Sequence, residues 1–280
     1  QLQVGATEIG QGADTVFSQM AAETLHMDIS RVHIVTQQDT DVTPFDTGAY
    51  ASRQSFVTGT AVKECAQQLK QKILEYARTL VPGNVDRLEL EDGYILADGK
   101  PAISLEDLAM ESYYSLSNSS VLTAEVSRQV KKNTVASGCC FAEVEVDMKL
   151  GKIKVLDIVN VHDSGTLLNP QLAAMQVHGG MFMGIGYGVS EQLLIDEKTG
   201  RPLNGTLLDY KMMTMMDTAE FVELNDPMGP YGNKALGEPP AIPSAPAIRN
   251  AVLHATGIGF SEIPLTPQRL IDGFTKAGLI

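Results

Sequence analysis

Tryptophan is absent from the 280 residues, and 8 tyrosines and 8 phenylalanines supply all the aromatic surface. Stacking platforms for bases are therefore not expected. Cysteine is scarce too: Cys65, Cys139 and Cys140 are the only three, and no two of them form a C-x-x-C pair. That argues against an iron–sulfur cluster or structural zinc held by this chain, and free, reduced thiols in a cytoplasmic setting are the expectation. Cys139 and Cys140 are adjacent at the start of a predicted strand, where neighbours point to opposite faces, and packing is their expected role. Positive charge is also short. The 21 Lys and Arg face 34 Asp and Glu, leaving a formal charge of −13, which excludes the clustered basic surface that nucleic acid requires. The one short basic cluster, RQVKK at 128–132, reads as a solvated linker. The 5 histidines show no HExxH or similar ligand spacing. No apolar run approaches the roughly 20 residues that a bilayer-spanning helix needs. The chain opens at Gln1 within a strand-like LQVG, without a leader-like segment, and so reads as a piece of a longer chain.

What is present is an ordinary globular balance, 44% hydrophobic and 20% charged, with length for one large domain or two smaller ones. A strand over 1–5 leads into the glycine-rich turn GATEIGQG (5–12). A helix is predicted from Asp14 or Thr15, with Val16, Met20, Ala21 and Leu25 at helical spacing. A strand RVHIVTQ precedes a long polar loop, and a second helix spans about 57–79 with Ala61, Cys65, Leu69 and Ile73 on one face. LELEDGYILADGK reads as a hairpin with Asp-Gly turns, followed by a short helix, SLEDLAMESYY. Residues 115–136, rich in Ser, Asn and Lys, read as a boundary between lobes. FAEVEVDMKLGKIKVLDIVNVHD alternates with period two around Leu150-Gly151 and is predicted to be an antiparallel hairpin at the centre of a sheet. Asn169-Pro170 then starts a helix, cap followed by first-turn proline. Its glycines at 179, 180, 184, 186 and 188 lower helix propensity. They imply either tight helix-on-sheet packing or close approach of some other group. The methionines here and in KMMTMM (211–216) read as core filler. A last helix follows PSAP, with Ile248, Ala251, Val252 and Ala255 on one face and Gly257 as its stop. The expected fold is α+β: two lobes of mixed or antiparallel sheet with packed helices, over 1–130 and 131–280.

Three polar stretches could hold a ligand. In GATEIGQGADT, Gly10 and Gly12 flank Gln11 immediately before a helix. Helix-start N–H groups bind anions, though the stretch lacks a P-loop GK[ST] and serves equally as a plain helix entry. TGAYASRQS (47–55) could present several N–H donors, with Arg53 pairing either a phosphate or Asp46. Gln176 offers a donor and an acceptor, which suits a heterocycle; it could equally be a solvated surface residue. A fourth stretch, GNKALGEPPAIPSAP, fixes Glu238 between Gly237 and two prolines. Proline disfavours αR for the residue before it and fixes its own φ. Glu238 is thus either a capping or solvated acid in a stiff loop, or a base whose position must not wander.

Together GQGADTVFSQMAAE, DTDVTPFDTGAYASRQSFVTGTAV, HDSGTLLNPQLAAMQVHGG and GNKALGEPPAIPSAPAIRNAV, ending with IPLTPQRL, resemble the molybdenum hydroxylases, the family of xanthine dehydrogenase, aldehyde oxidase and nicotinate dehydrogenase. The resemblance covers nearly the whole chain except about 80–135. It implies a molybdopterin-binding part of the molybdenum subunit. Gly10, Gln11 and Gly12 would hold the cofactor's pyrophosphate or pterin. Ala51, Ser52, Arg53, Gln54 and Ser55 would wrap it, with Ala51 nearest the molybdenum and no direct metal ligand from this chain. Gln176 would bond the pterin or its phosphate side, Lys234 would lie against the cofactor, and Gly237 would let its loop pass beside it. Glu238 would be the catalytic base, taking the proton from a molybdenum-bound hydroxyl during hydroxylation of an electron-poor carbon. The implied substrate is a purine or other N-heterocycle, or an aldehyde. The cofactor would be molybdopterin, a cytosine dinucleotide form included. The [2Fe-2S] and FAD groups would sit on partner subunits, and the other half of the molybdenum domain, with its GGGFGG-type loop, would complete an oligomeric enzyme away from the membrane. Asn233 and Ala235 depart from the family's pattern beside the cofactor. The alternatives are a non-catalytic cofactor-binding or scaffold module, and a phosphate-ligand domain unrelated to molybdenum.

Overall fold

The computed structural model describes residues 1–132, 134–214 and 229–280. The chain forms two compact units, Gln1–Asn133 and Thr134–Ile280.

In the first unit, helix α1 (Ala13–Leu25) lies against the long helix α2 (Gln54–Leu80). Phe17, Met20, Ala21 and Leu25 of α1 are buried. On α2 the buried positions include Val62, Ala66, Ile73, Tyr76 and Ala77, and Leu69 packs against the same core; the predicted Leu69 and Ile73 thus face inwards, while Val62 and Ala66 take the places expected for Ala61 and Cys65. The aromatic and β-branched residues sit at these positions and set the rotation. The strands expected over 1–5 and 31–37 reduce to one parallel bridge, Leu2 to Ile34, closed by Leu2 N–H to the His33 carbonyl and Val35 N–H to the Leu2 carbonyl, both 2.9 Å. A methyl group on Gly5 would lie 2.3 Å from the Pro44 carbonyl oxygen, so the close approach of that loop needs glycine there. Strands β1 (Leu88–Glu91), β2 (Tyr94–Ala97) and β3 (Lys100–Ser104) form an antiparallel meander. Asp92-Gly93 and Asp98-Gly99 turn its corners with φ positive at both residues, the tight turn that matches strand twist. Helix α3 (Leu105–Tyr114) is capped by Ser104, whose hydroxyl accepts from Asp107 N–H. Leu25, Ala66, Ile73, Leu90, Ile95 and Leu108 close the core. The expected linker over 115–136 is anchored along α2: Tyr76 OH donates to the Asn118 carbonyl (2.9 Å), Lys72 Nζ to the Thr123 carbonyl (2.6 Å), and Arg128 pairs with Glu64 (3.3 Å).

In the second unit, β4 (Ser137–Asp147) and β5 (Lys152–Asp163) form the expected antiparallel hairpin. Among the described residues it is a sheet of its own rather than the centre of a wider one. Cys140 faces the core cluster while Cys139 is exposed, the alternation a strand imposes. Helix α4 (Pro170–Val189) begins as predicted, with the Asn169 side chain accepting from Leu172 N–H. It ends at Val189, before the expected EQLL, because Glu191 folds back: its N–H bonds the Gly186 carbonyl and its carboxylate takes the Tyr210 hydroxyl. Helix α5 (Ser244–Thr256) packs on β4 and α4 through Ala245, Ile248 and Val252, and Gly257 closes it at φ 76°. It is not the last helix. Helix α6 (Pro267–Lys276) follows, capped by Thr266 and burying Leu270 and Phe274. Ile158, Val177, Met181, Ile185 and Ile248 form one core cluster; Val252, Leu265, Leu270 and Phe274 form another. The methionines are not uniformly core: Met181 is buried, Met213 packs at the edge, and Met175, Met183 and Met212 are exposed. Met215 and Met216 lie outside the described residues.

Candidate functional site

In the first unit the GQG turn and the loop at 51–55 come together. Gln11 Nε2 donates to the Gln54 side-chain oxygen and, at 3.1 Å, to the Thr7 carbonyl. Gln54, itself buried, donates to the same carbonyl at 3.1 Å. Gln11 Oε1 accepts from Ile9 N–H at 2.7 Å. Both Nε2 hydrogens of Gln11 are thus committed within the protein, and Gln11 braces Gln54 at the start of α2.

The two helix starts differ. At α1, Gly10 and Gly12 are left-handed at φ 100° and 85°, and the freed N–H groups turn onto Glu8. Its carboxylate accepts from Gly10 N–H (2.7 Å), Gly12 N–H (3.0 Å) and Asp14 N–H (3.1 Å). Burial alone would raise the Glu8 carboxyl; these backbone donors outweigh it and hold the group below the usual carboxylate range. The anion site foreseen from GQG exists, and the chain's own Glu8 fills it. Sequence reading missed Glu8, although an acid five residues before the start of a helix was a visible signal. At α2 the preceding Arg53 makes no side-chain cap. Its guanidinium reaches Asp46 (3.3 Å) and the Gly48 carbonyl (3.2 Å) through Nη1, so the expected Asp46 pairing is made. Before it, Ala51 and Ser52 are both left-handed at φ 51°. That conformation costs about 1–3 kcal/mol per non-glycine residue and gathers at ligand clamps. Ser55 lies in the first turn of α2.

In the second unit the end of β5 pairs with the GNK segment. Gly165 bridges Asn233, Lys234 N–H donates to the Ser164 carbonyl (2.7 Å), and Thr166 N–H to the Gly232 carbonyl (2.7 Å). Lys234 Nζ meets Asp163 at 2.6 Å with 10% of its side chain exposed. The hydrogen bond from Lys234 is the main cause that lowers the Asp163 carboxyl. Lys234 therefore locks its loop onto β5, whatever else it touches. Beyond it, Gly237 and Glu238 are exposed, and the Glu238 carbonyl accepts from Ala241 N–H at 3.0 Å, closing a turn over the two prolines.

The α4 glycines explain what seats this turn. A methyl group on Gly180 would lie 2.9 Å from Pro240 Cβ, on Gly184 2.5 Å from the Ala241 carbonyl, and on Gly188 3.2 Å from Ala245 Cα. The group that approaches α4 so closely is the 240–245 segment, not the sheet. Gln176 lies one turn before Gly180 on the same face of α4. From the sheet side, buried Asn160 donates to the Pro240 carbonyl at 2.9 Å, and Ser244 Oγ donates to it at 3.2 Å. Two residues further along β5, His162 is buried, with neither ring nitrogen partnered among the described residues, and burial pushes its pKa down, which favours the neutral ring. The Asn233 and Asn160 side-chain oxygens are likewise buried and have no partner among the described residues. Among the described residues no group of three or more His, Cys, Asp or Glu could hold a metal ion, and no helix is long and apolar enough to cross a membrane.

The sequence pattern of the molybdopterin cofactor-binding domain family matches residues 1–219. The putative xanthine dehydrogenase molybdenum-binding subunit XdhA of Escherichia coli K12 is 50% identical over 286 residues, covering 100% of this chain and 38% of that protein. The probable hypoxanthine oxidase XdhD of the same organism is 32% identical, covering 97% of this chain and 29% of that protein. The solved CO dehydrogenase from Oligotropha carboxidovorans superposes with a TM-score of 0.85 at 25% identity, over 98% of this chain and 35% of that one. The chain thus spans well under half the length of the relatives it matches. With a family pattern over most of its residues and this shared α+β fold, the chain belongs to the molybdopterin cofactor-binding domain family of the molybdenum hydroxylases.

Proposed function

We propose that this chain is the molybdopterin-binding portion of a xanthine dehydrogenase-like hydroxylase acting on a purine or related N-heterocycle, with Glu238 as general base. The observation that carries the reading is the seating of Glu238: an exposed carboxylate on a proline-braced turn, held against the glycines of α4 and tied to β5. A solvated or capping acid needs no such support. A general base must lie within hydrogen-bond reach of its proton, and a misplacement of about 1 Å can cost roughly 10²-fold in rate.

The residues present fit an anionic pterin. The Arg53 side chain does not cap the start of α2, which follows two left-handed residues, Ala51 and Ser52, and N–H groups at a helix start can receive phosphate. Ala51 to Ser55 would hold the cofactor there, Gln54 kept in place by Gln11. Glu8 already takes the α1 start, so Gly10, Gln11 and Gly12 would contribute by shaping and bracing rather than by donating N–H groups. Gln176 would offer its amide to the pterin from α4, Gly237 would admit the cofactor beside the turn, and Lys234 would fix that loop through Asp163. When bound, the group supplies the Lewis-acid and redox chemistry of the hydroxylation. Glu238 accepts the proton of the water-derived hydroxyl and, by losing its own freedom to move, keeps that transfer aligned. The GGGFGG-type half of the molybdenum domain and the [2Fe-2S] and FAD subunits are the partners this reading requires, in a cytoplasmic assembly. XdhA and XdhD, by name, favour the purine class over aldehydes.

The test is Glu238→Gln in the complete, molybdenum-loaded enzyme. Turnover should fall by about 10²- to 10⁴-fold while molybdenum content stays at the wild-type level. Turnover within a few-fold of wild type would remove Glu238 as base and leave a scaffold role for the chain.

A further inference from the structure

We propose that Asn160 is a positioning residue for Glu238, acting through the Pro240 carbonyl; this rests on the reading of Glu238 as base. Asn160 sits in the middle of β5, fully buried, on the face that also presents Ile158 to the core. The surrounding cluster is apolar, with Val177, Met181, Ile185 and Ile248. A buried amide in such a layer is costly unless its hydrogen bonds justify it, and here Nδ2 is satisfied while Oδ1 has no partner among the described residues. An apolar residue of the same volume would suit the core better. What the amide does achieve is the bond to Pro240, a residue 80 positions away in sequence and two after Glu238.

The turn needs such a tie because it is poor in donors of its own. Pro239, Pro240 and Pro243 have no N–H. The Glu238–Ala241 bond and the Ser244 hydroxyl bond both stay within the 238–244 segment. The groove of Gly180 and Gly184 stops the segment from moving inwards, yet packing against a smooth glycine surface does not fix its position along the helix. A directional bond from a rigid strand does. Asn160 is locked in the hairpin register opposite Cys140, so the sheet sets how far along the groove the carboxylate stands.

The experiment compares Asn160→Leu, which keeps the branched shape without the polar atoms, and Asn160→Ser, which falls short of the carbonyl, with Glu238→Gln in the complete enzyme. Hydrogen–deuterium exchange is followed in peptides covering 238–247 and 248–256. The proposal expects at least tenfold faster exchange in the first peptide, no change in the second, and unaltered molybdenum content. It expects kcat to fall about 10²-fold with KM within threefold. Faster exchange in both peptides for both variants would overturn it, because Asn160 would then be an ordinary core residue. So would unchanged exchange, or an unchanged kcat where Glu238→Gln is inactive. An active Glu238→Gln would instead sink the base assignment, and the exchange data would still decide whether Asn160 holds the turn.

Discussion

The turn before α1 and the groove of α4 are both rich in glycine, yet a methyl group added to each would meet opposite fates. At Gly10 it would touch nothing among the described residues, but the backbone stands at φ 100°, where a side chain is strained. At Gly180 and Gly184 the backbone is ordinary helix, and the methyl would collide with the 240–244 segment. Glycine supplies conformation in the first region and room in the second. Only the first could be read from local sequence, since a turn announces itself and a neighbour 60 residues away does not.

Three substitutions separate these roles, the largest effect first. Gly184→Ala places a methyl 2.5 Å from a backbone carbonyl that cannot rotate away. It should destabilise the protein by about 3 kcal/mol, the upper range for overpacking, as read by denaturant unfolding. A loss below about 0.5 kcal/mol would show that the groove is not tight. Gly10→Ala should cost about 1 kcal/mol from left-handed strain. An equal cost at Gly10 and Gly184 would erase the contrast. Gly179→Ala is the control: it is helical, exposed and without a neighbour within 4 Å among the described residues. It should stabilise by about 0.5–1 kcal/mol through helix propensity alone. A destabilising result would mean that α4 uses this glycine face for something not contained in the described residues.

Much of the fold was legible because local grammar and tertiary packing agree. The Asp-Gly corners, the Asn169-Pro170 helix start and the Gly257 stop each fix a backbone shape in two or three residues, and each appears where expected. Thr266-Pro267 has the same cap-then-proline form as Asn169-Pro170, so α6 was readable too and was passed over. The strands expected around Leu2 and Ile34 reduce to a single bridge. On α2 the expected face holds at Leu69 and Ile73 and shifts by one residue at Val62 and Ala66, because a long amphipathic helix offers two adjacent stripes and only its partners choose between them. At the candidate site, the stiffness around Glu238 was visible in its prolines. The left-handed Ala51 and Ser52 were not, since neither residue favours that conformation, and neither was Asn160, which shares its buried strand face with Ile158 and His162. Its significance lies in a contact 80 residues distant.

Glu8 carries one more consequence. A carboxylate attached a few residues from the amides it binds is present there at an effective concentration on the order of millimolar or above, so dilute inorganic phosphate from solution cannot displace it. Acid can: once Glu8 is protonated, below its lowered range, those amides lose their negative partner. At neutral pH the entrance of α1 is therefore occupied by the chain's own carboxylate.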